Sequence, residues 1–356
     1  MKQLSRYVSM SVLSSMLLIL FLLVGLDVVF NFIGELQGLK GNYRAPQALW
    51  YTIMNEPGNV YTLLPIAALV GGIVGLGNLA THSELTVMRA AGVSIRRIVW
   101  WVIRPALVLV VLGVVLGQFI VPGSVQSAEL FKALAVGRAA PNQVWGYWHR
   151  EGDQFIQIDL VRPDGILMGV HQYAFSSGPD RHLIQTNYAD KANYQSGGTW
   201  QLESVHDTVI APDGGAQSGG AEHRSWTNTL TPDFLQLATV DPEFLSLTSL
   251  YSFAHHLSVQ GLDAGQYFLE FWKKVFAPLA TISMVLIACS FIFGPLRSVT
   301  MGLRIVTGVM AGLLFRYGQD FFGYASLVYH FSPVVAAGLP IAFCLIIGTV
   351  AIARVR

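Results

Sequence analysis

Six long apolar runs stand in two groups of three, one at each end of the chain, with a single more polar stretch between them. A run of about 20 apolar residues crosses the hydrocarbon core of a bilayer as a helix, because the helix satisfies its own backbone hydrogen bonds where no water reaches. The runs read as Val8–Ile33, Val60–Ala80, Ile98–Val121, Val275–Phe293, Met301–Gly323 and Pro333–Ala353. They predict a polytopic α-helical membrane protein with six transmembrane helices, three plus three, that hangs one folded domain on one side of the bilayer. Residues 1–121 would hold the first three helices, 122–267 the insert and 268–356 the last three. Composition agrees: 53% of residues are hydrophobic and only 12% charged, too few charges for a soluble globule of this size. The first run is too long for a signal-peptide core and has no small-residue cleavage pattern, so it reads as a retained helix.

Orientation follows from Lys and Arg in the short connections. Lys2 and Arg6 precede the first span, and Arg89, Arg96, Arg97 and Arg104 fill or border the second connection. Arg297 and Arg304 flank the turn between the fourth and fifth spans, and Arg354 and Arg356 close the chain. All fall on one side, which is expected to be the cytoplasm, so the insert is expected on the outer side. Lys273 and Lys274 lie outside, where charges beside a translocated domain weigh little in this rule. The net charge of +1 and the lack of a basic tail give no indication of nucleic acid. Cys289 and Cys344 lie inside apolar runs and suggest neither a disulfide framework nor a zinc site.

Three glycine pairs within the spans, Gly71 with Gly75, Gly113 with Gly117 and Gly308 with Gly312, have the small-xxx-small spacing that lets helix backbones approach closely. They serve packing within one bundle or a face for a second membrane subunit. In the insert the pattern changes at about Val144 to short alternating runs: Gln154–Val161, Ile166–Phe175, Leu183–Tyr194 and Thr199–Ile210. Turn clusters such as Pro163-Asp-Gly165, Ser177-Gly-Pro-Asp180 and Ser196-Gly-Gly198 separate them. Such spacing predicts an antiparallel sandwich or β-jelly roll over about 144–240. The Gly-rich stretch Pro212–Gly220 reads as a mobile turn, and Trp226–Ala238 as one or two further strands. His149, His171, His182, His206 and His223 lack metal-ligand spacing and read as scattered surface histidines, and no H-E-x-x-H or nucleophile-elbow motif occurs. From Asp241 the pattern turns helical, with Leu247, Leu250, Tyr251, Ala254 and Leu257 at helical spacing.

Several segments together resemble one family. They are Ser83-Glu-Leu-Thr-Val-Met-Arg-Ala-Ala-Gly-Val-Ser94, Gly261-Leu-Asp-Ala-Gly-Gln-Tyr267, Phe271-Trp-Lys-Lys274, Phe291-Ile-Phe-Gly-Pro-Leu-Arg-Ser298, Met301-Gly-Leu-Arg304 and Thr307-Gly308. Their order and spacing resemble the YjgP/YjgQ family, the LptF/LptG permeases of the lipopolysaccharide-export ABC transporter. The segment ending at Ser298 and the run before the fourth span resemble the LptG branch more than the LptF branch. The resemblance implies a bacterial inner-membrane, multi-pass permease with a periplasmic jelly roll. It would be paired with LptF as a heterodimer on a dimeric cytoplasmic ATPase, LptB, with LptC as a further partner and lipopolysaccharide and membrane lipids as ligands. ATP and Mg would be used by the ATPase and no cofactor held by this chain. In agreement, no G-x-x-x-x-G-K-[ST] loop occurs and Gly is never followed by Lys. An LptF-type subunit, another lipid or lipoprotein exporter permease, and a membrane-bound lipid-modifying enzyme are the competing readings.

Three groups of residues stand out. The segment Thr81–Val93 is short and amphipathic, with Leu85, Met88 and Ala91 on one face and Glu84 and Arg89 off it. The resemblance implies a coupling helix at about 81–93 that meets the ATPase through Glu84, Leu85, Met88 and Arg89. Thr81-x-x-Glu84 equally fits a capping box, with Gly92 ending the helix in the left-handed conformation. Asp27 in the first span, and Arg316 and Asp320 one turn apart in the fifth, are intramembrane charges, which mark a cavity or an ion pair. With Asn31 they read as gate and cavity polar groups. Lys40, Arg44 and Lys132 outside the first and third spans, with Arg316 below them, suit phosphate contacts at the outer rim or ordinary interfacial anchoring. Two departures from the family pattern are Asn31, where relatives tend to carry a Lys, and the Arg316–Asp320 pair, which matches no family motif.

Overall fold

The computed structural model describes residues 2–40, 42–136, 147–162, 165–177, 181–211, 215–228, 230–232, 235, 240–259, 263–294 and 299–354. The strand onset at Val144, parts of the turns at 163–164 and 178–180, the family segments at 261–262 and 295–298 with Arg297, and Arg356 lie outside these residues.

The helices are α1 (Lys2–Leu36), α2 (Ala45–Thr81), α3 (Glu84–Ala90), α4 (Ile95–Val115), α5 (Val121–Ala135), α6 (Leu247–Val259), α7 (Gly265–Phe293), α8 (Met301–Tyr329) and α9 (Pro333–Arg354). A π-helical turn, Leu116–Ile120, joins α4 to α5. Five helical runs are long and apolar enough to cross a membrane: Lys2–Leu36, Ala45–Thr81, Ile95–Lys132, Gly265–Phe293 and Pro333–Arg354. Among the described residues these hold five of the six expected spans. Helix α8 has the same 29 residues as α7, and at about 1.5 Å per residue that exceeds a ~30 Å hydrocarbon core. Its apolar character, not its length, falls short, because Arg304, Arg316, Asp320 and its glycines interrupt the run. A second difference is the start of α2 at Ala45, well before Val60. Polar residues from Asn55 to Asn59 hid its first turns, and Pro57 and Pro65 lie inside it.

The chain forms two compact units, a helical one (Met1–Gly38, Ala48–Ala128, Pro242–Arg356) and a sheet one (Leu39–Gln47, Glu129–Asp241). Within the helical unit α2 is the centre, and glycine explains why. An added Cβ at Gly71 would strike the Met16 backbone, and one at Gly75 would sit 2.9 Å from Val12 Cα, so α1 lies directly on α2. Gly72 meets Ala288 of α7, while Gly308 and Gly312 of α8 receive Ile73 and Ile66. Gly113 and Gly117 face Leu64 and Tyr61. All three pairs therefore pack within the chain. By contrast α1 buries only the stripe Ser5, Val8, Val12, Met16 and Leu20, and leaves Phe21, Leu26, Phe30 and Ile33 exposed.

The sheet unit holds β1 (Tyr147–Glu151), β2 (Gln154–Val161), β3 (Leu167–Phe175), β4 (Leu183–Ser196), β5 (Thr199–Ile210) and β6 (Ala216–Thr227), all antiparallel and in chain order. Each strand pairs only with its chain neighbours, so the described sheet is a meander; the crossing connection of a jelly roll is not among its pairings. Gly197 (φ +59°) and Gly198 (φ +81°) make the two-residue β4–β5 hairpin, whose turn needs positive φ at both positions. Ile156, Ile158, Leu167, Val170, Trp200 and Leu202 form the core, and Trp200 Nε1 donates to the Leu230 carbonyl at 3.0 Å. Two expectations are corrected here. Much of the Pro212–Gly220 stretch is strand: β6 pairs Gly219 with Asp207 and Gly220 with His206, and as a largely exposed strand it carries little apolar signal. His149 is buried rather than on the surface, while His171 lies 3.5 Å from Asp159.

Candidate functional site

Where α2, the α4–α5 junction, α7 and α8 meet, the helical unit forms a half-open cavity of about 340 Å³. One side of it is apolar, with Leu64, Ile66, Leu109 and Phe315; the other carries three carboxylates and three cations. Arg316 is 3.2 Å from Glu243, on the 3-10 turn Pro242–Phe244, and 3.5 Å from Asp320 one helical turn on. Lys273 donates to Glu270 at 2.7 Å and stands 4.0 Å from Asp320. Lys274 donates to the Leu245 carbonyl at 2.5 Å and sits 5.2 Å from the Tyr61 ring centre. Its other acceptor is the Gly117 carbonyl at 3.4 Å. That carbonyl is open to Lys274 because Val121 N–H bonds the Leu116 carbonyl at the end of the π turn and Pro122 has no N–H to offer. In the same turn Gln118 Oε1 accepts the Leu247 amide at 3.0 Å at the start of α6.

The expected Arg316–Asp320 pair is thus present, but as part of a larger, charge-balanced circuit. Taking charges out of water costs several kcal/mol each unless they are paired and hydrogen-bonded. A phosphate reaching Arg316 competes with two carboxylates. Glu243, Glu270, Lys273 and Lys274 were missed as site residues. The Glu270-x-x-Lys273 spacing within an apolar run was a readable signal; the Glu243–Arg316 contact, spanning 73 residues, was not.

The other sequence-selected residues fall into three places. Asp27, half-buried and facing Asn59 of α2, accepts from the exposed Asn31 Nδ2 at 2.7 Å. Near Asp27 lies Glu56 of α2, whose two carboxylate oxygens are shut off from solvent with no well-aligned hydrogen bond. In the sheet unit, Tyr43 pairs with Lys40 in an isolated bridge and its ring carries Lys132 Nζ at 5.9 Å, so Lys40, Arg44 and Lys132 gather around one buried tyrosine. Lys40 and Arg44 are exposed.

Helix α3 is shorter than the 81–93 segment. It does not form the capping box: Thr81 ends α2, and Ser83, at φ +62° with no side-chain cap, precedes Glu84. Glu84 Oε1 instead accepts from Tyr7 Oη of α1 at 3.0 Å. Gly92 (φ +86°) closes the helix, with Gly92 N–H on the Arg89 carbonyl and Val93 N–H on that of Met88, both at 3.0 Å, the paired bonds of a Schellman end. Leu85 and Met88 are buried in the helical unit, and the outward face is Val87, Ala90 and Ala91, with Glu84 and Arg89 half-buried at its edges. Arg304, read for orientation alone, is buried. It donates to the Gly77 carbonyl at 2.7 Å and to Thr81 Oγ1 at 3.1 Å, tying α8 to the end of α2.

Long apolar helices around a polar cavity, together with an extramembrane sheet domain, define a multi-pass membrane protein, here one whose sequence lacks a phosphate-binding loop. Residues 6–354 match the family described as lipopolysaccharide export system permease LptF/LptG, and the chain belongs to that family of transporter permeases. It is 35% identical to the lipopolysaccharide export system permease protein LptG of Escherichia coli K12 over 342 residues, 95% of this chain and 94% of the relative. The LptG protein of Haemophilus influenzae is 34% identical over the same shares.

Proposed function

We propose that this chain is the LptG-type subunit of an exporter that extracts lipopolysaccharide from the outer leaflet of the bacterial inner membrane and passes it to a periplasmic bridge. The observation that carries the reading is the near full-length match to LptG permeases. In this reading α8 is a sixth span, the sheet unit is periplasmic, LptF is the membrane partner, and a dimeric LptB hydrolyses ATP with Mg. LptC is a further partner. Size supports a second subunit. Pockets of about 300–1,000 Å³ suit drug-sized ligands, and a lipid with several acyl chains on a phosphorylated sugar is several times larger. The cavity of about 340 Å³ therefore holds no more than part of it. The exposed faces of α1 (Phe21, Leu26, Phe30) and α8 (Leu314, Tyr317, Phe321, Tyr324) are then the surfaces on which a partner completes the substrate chamber.

In the sheet unit Lys40, Arg44 and Lys132 serve as phosphate contacts; in the helical unit Arg316 serves as one only when Glu243 or Asp320 lets go, and Asp27 and Asn31 are gate polar groups. Neutralising the four cations together should lower lipopolysaccharide binding more than any single change, since charge-assisted phosphate contacts of ~1.5–3 kcal/mol each share the load. On the cytoplasmic side, Glu84 and Arg89 engage the ATPase, with Val87, Ala90 and Ala91 as the apolar contact, while Leu85 and Met88 brace α3 from behind. Glu84→Ala should weaken co-purification with the ATPase or uncouple its hydrolysis from lipid release while the permease still inserts. Intact assembly and transport in that variant would remove the coupling role, and ATP hydrolysis by the purified chain alone would overturn the assignment.

A further inference from the structure

Tyr7 and Glu84 stand 77 positions apart in the chain, and a hydrogen bond joins them: Tyr7 Oη of α1 donates to Glu84 Oε1 of α3 at 3.0 Å. The first turns of α1 are held where this bond can form. Arg104 of α4 donates to Ser5 Oγ at 3.2 Å, and Ser9 Oγ donates to the Trp101 carbonyl at 2.7 Å. That carbonyl is open to Ser9 because Pro105, one helical turn on, has no N–H to give it. Side chains two positions apart on a helix point about 160° from each other. Ser5 and Ser9 therefore face α4, while Tyr7 between them is turned toward α3.

At the other end of the bond, Leu85 and Met88 seat the backbone of α3 on the helical unit. The Glu84 side chain has no such anchor in its own helix, and a long carboxylate in the open samples several rotamers. The Tyr7 hydroxyl selects among them. It occupies Oε1, and a carboxylate bonded at one oxygen still accepts at the other. Given the coupling role proposed above for Glu84, on which this rests, we propose that Tyr7 is its positioning residue. The hydroxyl holds the carboxylate in the orientation that a cationic side chain of the ATPase takes up, and it ties α3 to α1. Helix α1 has no proline and runs unbroken to Leu36. A displacement of α3 is therefore passed along α1 to the exposed Leu26 and Phe30 near its far end.

The test uses the full-length permease in its purified complex with the ATPase and the membrane partner, reconstituted with lipopolysaccharide. Tyr7→Phe removes one oxygen and keeps the half-exposed ring, so insertion and unfolding temperature should match wild type. ATPase affinity, or lipid released per ATP hydrolysed, should fall about three- to tenfold, the effect of having to order one free side chain on binding. In the Glu84→Ala background the same change should have no further effect, because the two residues act through one contact. Wild-type coupling in Tyr7→Phe, with Glu84→Ala impaired, overturns the proposal and leaves the coupling role standing. An equal loss with and without Glu84 also overturns it, since the hydroxyl then acts elsewhere. So does a fall in unfolding temperature that accounts for the lost coupling, which makes Tyr7 a structural contact only. Wild-type behaviour of Glu84→Ala removes the coupling role itself, and the positioning role with it.

Discussion

The two polar recesses of the helical unit contain similar numbers of cations and solve opposite problems. Around the smaller cavity, Arg316, Lys273 and Lys274 are answered within the chain by Glu243, Asp320, Glu270 and two backbone carbonyls. Between the first turns of α1 and the first half of α4 a larger hollow, of about 770 Å³, is lined by Lys2, Arg6, Arg97 and Arg104, with Ser5 Oγ and the Trp100 ring against Arg104. The first arrangement sets acids against bases across helices; the second gathers charges of one sign beside aromatic and hydroxyl side chains. Counting charges along a membrane chain does not separate the two cases. Whether acids line the same recess does.

The comparison breaks most readily at Lys274. Lys274→Met leaves two carbonyls without their donor and Glu270 with one cation fewer, and should cost about 3 kcal/mol, read as a fall in the detergent unfolding temperature. A loss no greater than that of Arg104→Gln would erase the distinction between the recesses. Arg316→Gln should cost about 1–2 kcal/mol, less because the pair is partly open to solvent. Adding Glu243→Gln and Asp320→Asn should restore most of it, since the stranded acids go with their partner; no recovery would mean that packing rather than charge sets the cost. Arg104→Gln should change stability by under about 1 kcal/mol, because relief of repulsion offsets the lost contact with Ser5. The smallest effect is that of salt on the closed circuit. Going from 0.1 to 1 M shortens the Debye length from about 10 to 3 Å, which should leave the unfolding temperature nearly unmoved, since partly buried pairs are screened much less than exposed ones.

What was legible in the sequence follows the same line between local and distant. Strands β2 and β5 begin and end where alternation and turn residues put them, and the Gly92 helix end is a local event. The glycine pairs were visible as pairs, but which helix each would meet was not, since Gly71 and Gly308 find their partners across the bundle. The first turns of α2 were hidden because Asn55, Glu56 and Asn59 look like a loop until Asp27 of α1 stands beside them and Phe244 and Val125 pack on Gly58. Strand β6 was hidden because backbone pairing, which leaves no mark on side-chain polarity, holds its Gly219 and Gly220. Of the cavity, Arg316 and Asp320 stand out because they interrupt an apolar run; Lys273 and Lys274 stand at the edge of one and bear, in sequence, only on orientation.

The bond from Arg304 to the Gly77 carbonyl joins positions 227 residues apart. Chains are synthesised at about 5–20 residues per second, so Gly77 reaches the membrane roughly 10–45 s before its donor exists. During that interval α2 can already lie against α1, whose Met16 and Val12 precede it, while its opposite face stays without α7 and α8. The nascent amino-terminal half is therefore a half-built bundle with an open seam. Any factor that shelters membrane helices during insertion would find its grip there, and would have to release it before Arg304 arrives.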